Sequence, residues 1–227
     1  MDKPGAEIRW NTQQRLLAGI GLVLAFGFVL WKVIFPIPLR SAPDGAVAGI
    51  LVQWLTVLIV SFIAFKWLHL DRSELGLHVP RPLDWPIALG TFFVAMIAAG
   101  IVGSLFPAPE SAKSAVAKLI NLPLPTRILL VVTAGICEEF LFRGFAITAL
   151  SRFTGNRWLS GLLSLAVFTI AHAGLFGWNS ALLVPCVLGL ILTLLFLLRR
   201  NLIIGMAVHT LIDAIGLIIV PLAASKG

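Results

Sequence analysis

The chain has 227 residues, of which 59% are hydrophobic and only 12% are charged. A soluble domain carries about 25% charged residues, so this composition excludes an ordinary water-soluble protein. The net charge of +7 comes from 17 Lys and Arg against 10 Asp and Glu. These basic residues lie singly or in pairs at the ends of apolar runs, where lipid headgroups attract them. We therefore expect membrane lipids, and no nucleic acid, as partners.

Apolar runs recur along the chain at the length of about 20 residues that a bilayer-spanning helix needs. In chain order they lie near residues 16–35, 46–68, 86–106, 127–150, 158–177, 181–198 and 202–222. The pattern predicts an all-α polytopic membrane bundle of seven transmembrane helices, or eight if residues 158–198 divide differently around Trp178. We interpret residues 1–227 as a single membrane-embedded domain.

Two connections between these runs are longer than the others. The segment from Lys66 to Trp85 is rich in charged residues and is typical of a solvated loop. In the segment 107–126, Val116, Leu119 and Ile120 fall on one helical face, which predicts a short interfacial helix.

The distribution of basic residues predicts the orientation. With the N-terminus in the cytoplasm, ten Lys and Arg fall on the inner side and six on the outer side. Cytoplasmic loops carry the excess of positive charge, so we expect the N-terminus inside and the C-terminus outside a bacterial cytoplasmic membrane. The inner residues are Lys3, Arg9, Arg15, Lys66, Arg72, Arg81, Arg152, Arg157, Arg199 and Arg200, and the outer ones are Lys32, Arg40, Lys113, Lys118, Arg127 and Lys226.

Six ionisable residues fall well inside the predicted spans. Such residues are unfavourable in hydrocarbon and usually face one another or a water-filled cavity. Counted from the nearest inner basic residue at ~1.5 Å per residue, those on the three helices lie between roughly 14 and 22 Å deep. This similar depth predicts one polar functional cavity. The six are Glu138, Glu139, Arg143, His172, His209 and Asp213.

Spacing within the helices divides these residues further. Glu139 and Arg143 are four residues apart, so they lie on one face and are expected to form an ion pair. Glu138 points about 100° away from Glu139 and has no basic residue one α-helical turn away, which makes it the candidate general base. His209 and Asp213 are also four residues apart, so the carboxylate is placed to orient the imidazole.

Three motifs on separate spans carry a family resemblance. Residues 138–143 read EExxxR, residues 168–172 read FxxxH, and residues 209–213 read HxxxD. In this order they resemble the CPBP family, which includes the type II CAAX prenyl endopeptidases and the bacterial bacteriocin-processing and immunity-associated ABI proteins. The resemblance covers residues 127–222, which we interpret as the catalytic CPBP-like core.

The resemblance implies an intramembrane endopeptidase that acts on a peptide or a lipid-anchored protein. By analogy, Glu138 and His172 activate a water molecule, while His209 and the position of Asp213 stabilise the oxyanion. Glu139 and Arg143 are then structural and positioning residues. The prenyl endopeptidases have Asn where this chain has Asp213, although bacterial relatives use either. An Asn side chain donates a hydrogen bond, whereas an ionised Asp does not. Asp213 is therefore protonated, acts through His209, or contributes to a metal site.

The sequence leaves three alternatives open: a zinc-dependent enzyme, a proton-coupled transporter and a non-catalytic protein. We expect no cofactor and a metal-free glutamate mechanism, because the chain lacks HExxH. A zinc site formed by His172, His209 and Glu138 is the alternative. A proton-coupled transporter would use the same residues as a relay. A non-catalytic immunity or scaffold protein would retain the family cavity.

Overall fold

The computed structural model describes residues 10–34 and 43–224, with side chains described except at 28–34 and 43–44. Among the residues used to predict the orientation, Lys3, Arg9, Arg40 and Lys226, and the side chain of Lys32, lie outside this description. Every regular element of the described ranges is helical. The predicted all-α class is therefore confirmed.

Ten α-helices follow one another along the described chain, and three of them continue directly into π-helical segments. The π segments are π1 (Ile63–Trp67), π2 (Ala134–Ala146) and π3 (Ile215–Ile219). The α-helices are α1 (Thr12–Ile34), α2 (Pro43–Phe62), α3 (Asp84–Leu105), α4 (Glu110–Ile120), α5 (Leu124–Thr133), α6 (Ile147–Thr154), α7 (Arg157–Phe176), α8 (Leu183–Arg199), α9 (Leu202–Ala214) and α10 (Val220–Ala224).

Each of the seven predicted spans coincides with helical structure. Five helical segments of the described chain are long and apolar enough to cross a membrane, and a sixth is added if α4 and the helix Leu124–Thr154, bent by 111°, form one span. The predicted first span corresponds to α1, which has 23 residues. The five segments are Gly45–Trp67, Asp84–Leu105, Arg157–Phe176, Ser180–Arg199 and Leu202–Ala224.

The predictions for the two long connections agree with the structure to different extents. The predicted short helix is present as α4, while its interfacial position stays a prediction. The segment after Lys66 is exposed at residues 71–73 and 81–83, as predicted for a solvated loop, but Leu68, Leu70 and Leu75 are buried in the core. The backbone nitrogen of Leu202 also donates to the carbonyl of Gly76 at 2.8 Å. This loop therefore anchors the beginning of α9.

The continuous helix α5–π2–α6 forms the centre of the bundle. Residues 139–146 of π2 are all buried, against α9, α6, α5, α2 and α7. α3 lies at the periphery, where Phe93, Val94 and Ile97 are more than half exposed. An apolar surface of this kind suits contact with lipid. The fold thus buries Glu139 and Arg143 of π2 inside the bundle.

Two asparagines begin the helices that face π2. The Asn156 side chain accepts from the backbone nitrogens of Trp158 and Leu159 at the start of α7. Asn201 caps α9 in the same way, accepting from Ile203 and Ile204. An Asn cap satisfies backbone donors that the first turn of a helix leaves without partners. These caps fix where α7 and α9 begin, and so the depth of the histidines they carry.

Candidate active site

The EExxxR motif lies in π2 rather than in the α-helix that the sequence predicts. π2 has 13 residues, whereas π-helices usually occur as single-turn bulges, frequently at functional sites. Gly135 makes the packing of π2 against α9 close: a Cβ atom there would clash with the Thr210 hydroxyl and lie 2.9 Å from the Thr210 backbone nitrogen. Only glycine permits this approach of the two backbones.

Glu139 is the centre of a fully buried ionic network. Its Oε1 accepts from Nη1 of Arg143 at 2.9 Å, as the spacing predicts, and from Nδ1 of His209 on α9 at 2.9 Å. Arg143 also donates to the carbonyl of Gly189 on α8 at 3.1 Å and lies over the Phe168 ring at 4.2 Å. The side chains of Glu139 and Arg143 are 0% and 1% exposed. One carboxylate thus joins π2 to α9, and its arginine joins π2 to α8 and α7.

His209 lies between two carboxylates. An ionised carboxylate only accepts hydrogen bonds, so Nδ1 of His209 is the donor to Glu139. On the other side of the ring, Nε2 lies 3.6 Å from Oδ2 of Asp213. This distance is too long for a good hydrogen bond, so Glu139 fixes the ring and Asp213 provides the nearby negative charge. The i to i+4 proximity of His209 and Asp213 follows the prediction, while the orienting role of Glu139 was not anticipated.

His172 on α7 faces the same cavity as His209 and Asp213. The cavity has a volume of about 130 Å³, well above the ~10–15 Å³ that one water requires on the same measure. Nδ1 of His172 donates to the carbonyl of Phe168 at 2.8 Å, so Nε2 is the basic nitrogen of the neutral ring. The other lining residues are Phe168, Phe176, Val184, Pro185, Leu188, Leu192 and Ile212.

Glu138 is not among the lining residues of this cavity in the described chain. It is half-buried, and its Oε1 accepts from the side-chain nitrogen of Gln53 on α2 at 3.4 Å. Glu138 also interacts electrostatically with His209 and Asp213. Three of the four predicted catalytic residues therefore share one void, and the fourth acts on two of them through its charge.

The donor atoms of the described chain do not form a ready metal site. Within residues 10–34 and 43–224, no group of three or more His, Cys, Asp or Glu side chains is placed to hold a metal ion. The three residues of the zinc alternative, Glu138, His172 and His209, are thus not arranged as a ligand set.

Sequence reasoning from ionisable residues missed three contributors to this site. Gln53 contacts Glu138 from α2, and it is a polar residue in the middle of an apolar run. Phe168 contacts both Arg143 and His172, with ring centroids of Phe168 and His172 4.5 Å apart. Gly189 supplies a carbonyl to Arg143. A mid-span glutamine was a usable signal, whereas nothing in the sequence distinguishes Gly189.

The bundle and its buried ionic centre define a class: a polytopic membrane protein with a polar site inside its helices. Residues 120–215 match the family model described as Type II CAAX prenyl endopeptidase Rce1-like. The match covers less than half of the 227 residues, and it confirms the family resemblance of the three motifs over the stretch that contains them. No curated protein and no solved structure is similar enough to the chain to count as a match. Residues 120–215, which carry the three motifs, are therefore similar to CAAX-protease-like intramembrane proteases.

Proposed function

We propose that the protein hydrolyses a peptide bond within the membrane by a water molecule that Glu138 and His172 activate. The observation that carries the proposal is the convergence of His172, His209 and Asp213 on one cavity with room for water. A base beside a water site and donors beside the developing oxyanion are what amide hydrolysis requires.

The chemical steps use groups already described. The Glu138 carboxylate accepts a proton from water, aided by the Nε2 side of His172, and the water oxygen bonds to the scissile carbonyl carbon. The carbonyl π electrons move onto oxygen, and His209 donates from Nε2 to this oxyanion. The oxyanion then re-forms the carbonyl, the C–N bond breaks, and the nitrogen takes the proton from Glu138. Peptide substrate and water are the sole reactants.

The surroundings of His209 support its role as an oxyanion donor. A histidine that donates from both ring nitrogens is an imidazolium, and the carboxylates of Glu139 and Asp213 on its two sides stabilise that form. Asp213 thus acts through His209 in this proposal, and Glu139 with Arg143 positions the ring. This assignment explains how an Asp can stand where related endopeptidases have Asn.

The test is cleavage of candidate membrane peptides, including lipid-anchored ones, by purified protein in liposomes. We expect Glu138→Ala and His172→Ala to reduce kcat by about 10²- to 10⁴-fold, the usual contribution of general acid–base catalysis. Glu110→Gln is the control, because Glu110 is an exposed carboxylate of α4. Full activity of folded Glu138→Ala would remove Glu138 from the mechanism. Proton-coupled uptake without cleavage would favour the transporter, and neither activity would favour a scaffold.

We further propose that hydrolysis is independent of metal. The absence of an HExxH motif from the sequence supports this assignment. Dialysis against a chelator should leave the cleavage rate unchanged, and elemental analysis of purified protein should show less than stoichiometric zinc. Zinc bound at one per chain and lost in His172→Ala and His209→Ala would overturn it.

The protein is an integral membrane protein, and we propose that its N-terminus is cytoplasmic and its C-terminus external. The excess of basic residues on one side of the sequence supports this orientation. Reporter domains fused to each terminus, one active only in the cytoplasm and one only outside, measure it directly. Activity of the cytoplasmic reporter at the C-terminus would contradict the proposal.

A further inference from the structure

α2 packs against the central helix through a buried stripe with one polar member. Ala46, Ile50, Gln53, Val57 and Val60 are all buried and recur every three or four residues, so they lie along one face. Gln53 is 7% exposed and is the one polar side chain among these five. A polar amide in the middle of an apolar contact is unfavourable without a hydrogen-bond partner. Its partner therefore explains its presence.

Gln53 and its neighbour bond across to the central helix. The Gln53 side-chain nitrogen donates to Oε1 of Glu138 at 3.4 Å, and Nε1 of Trp54 donates to the hydroxyl of Thr133 at 3.0 Å. Two bonds to residues five apart fix both the rotation and the height of α2. The next buried polar residue, Thr56, donates to the Val52 carbonyl of its own helix at 2.9 Å. The Thr56 hydroxyl therefore bonds within α2 and not to the central helix.

We infer that Gln53 is a positioning residue for Glu138, and that α2 is thereby part of the active site. This inference rests on the proposed function. An amide N–H donor stabilises the ionised carboxylate, which is the form that accepts a proton from water, and it holds the carboxylate in one orientation. α2 lies outside residues 120–215, so the family match does not include Gln53.

The other groups that act on Glu138 lie on elements other than α2. Cys137 and Arg143 of π2 interact with it electrostatically, as do His209 and Asp213 of α9. α7 brings His172 to the cavity that His209 lines. A change at Gln53 leaves all of these side chains in place, so its effect on Glu138 is separable from theirs.

The activity test compares Gln53→Leu with Thr56→Val, which removes a buried hydroxyl one turn away on the same helix. A hydrogen bond to a charged group is worth roughly 10- to 100-fold, so we expect Gln53→Leu to lower kcat by about that factor. We expect the acidic limb of its pH–rate profile to move to higher pH with little change in KM. Thr56→Val should match wild type. A wild-type kcat and pH profile for Gln53→Leu, in a protein that Glu138→Ala inactivates, would overturn the inference and leave the proposed function intact.

An infrared titration tests Gln53 even where no substrate is cleaved. The Glu138 carboxyl C=O stretch is identified as the band absent from Glu138→Gln, and its intensity is followed against pH in wild type, Gln53→Leu and Thr56→Val. We expect the protonated band of Gln53→Leu to persist to higher pH than in the other two. Identical titrations in all three proteins would show that Gln53 does not act on Glu138.

Discussion

Glu138 and Glu139 are neighbours in the chain, yet they lie in two different kinds of surroundings. Glu139 is completely buried and is bonded to Arg143 and His209. Glu138 is half-buried and accepts from Gln53, and it acts through its charge on Asp213, which lines a cavity together with His172. Charges enclosed with partners hold helices together, whereas charges beside a wet void are available for chemistry. Changes to the enclosed network should therefore alter stability most.

The largest effect is expected for Arg143→Met. This change leaves the buried Glu139 carboxylate without its arginine, and removing one partner of a buried ion pair destabilises by about 3–5 kcal/mol. The free energy of unfolding in detergent measures it. Arg157→Met is the control, because Arg157 is exposed at the start of α7, where substitutions change stability by about 0.5 kcal/mol or less. Equal stability of the two variants would contradict a structural role for the network.

Gly135→Ala should cause the second largest loss of stability. Its Cβ would lie 2.9 Å and 3.0 Å from backbone atoms of Thr210, which cannot move without shifting α9. Overpacking of this kind destabilises by about 1–3 kcal/mol. Gly100→Ala on α3 is the matched control, since nothing lies within 4 Å of its Cβ position. Thermal unfolding should rank Gly135→Ala below wild type and Gly100→Ala at or above it, because alanine favours helix. The reverse order would show that moving π2 away from α9 does not lower the stability of the protein.

A smaller difference should separate the two asparagine caps. Asn156→Ala should destabilise by about 1 kcal/mol, as for a typical cap. Asn201 is fully buried and also donates to the His78 carbonyl at 3.1 Å, so Asn201→Ala should destabilise by about 2 kcal/mol. Chemical unfolding of both variants provides the comparison. An equal loss would mean that the loop beside α9 adds nothing to its anchoring.

The smallest effect is expected for Asp213→Asn on the cavity side. Asp213 makes no close bond to His209, so stability should change by about 0.5 kcal/mol or less. Peptidase activity should persist, since an Asn amide can itself donate to the oxyanion. Unfolding and cleavage are measured on the same preparation. A destabilisation equal to that of Arg143→Met would assign Asp213 to the enclosed network instead.

What the sequence predicted well depends on local periodicity. The approximate bounds of the spans, the Glu139–Arg143 pair and the proximity of His209 to Asp213 all follow from helical spacing. The bonds from Glu139 to His209 and from Gln53 to Glu138 join residues 70 and 85 positions apart. They depend on how each helix is rotated about its axis, which spacing within one helix does not determine.

The π-helical winding of the motif was not predicted for a related reason. Residues 134–146 form one continuous stretch with the apolar residues on either side, and the sequence pattern predicts an ordinary α-helical span there. The π-helical winding depends on tertiary contacts such as the close approach of Gly135 to Thr210. The roles of the individual site residues remain proposals that the variants above test.

The size of the cavity limits what conformation a substrate can take. An α-helix with its side chains is about 10–12 Å across, which is wider than this cavity of about 130 Å³. A membrane-anchored chain would have to present its cleavage point as an unwound strand, giving up helical backbone bonds as it leaves the lipid. Glycine or proline near the cleaved bond lowers that barrier. Substrate preference would then depend on how easily the substrate helix unwinds as much as on its side chains.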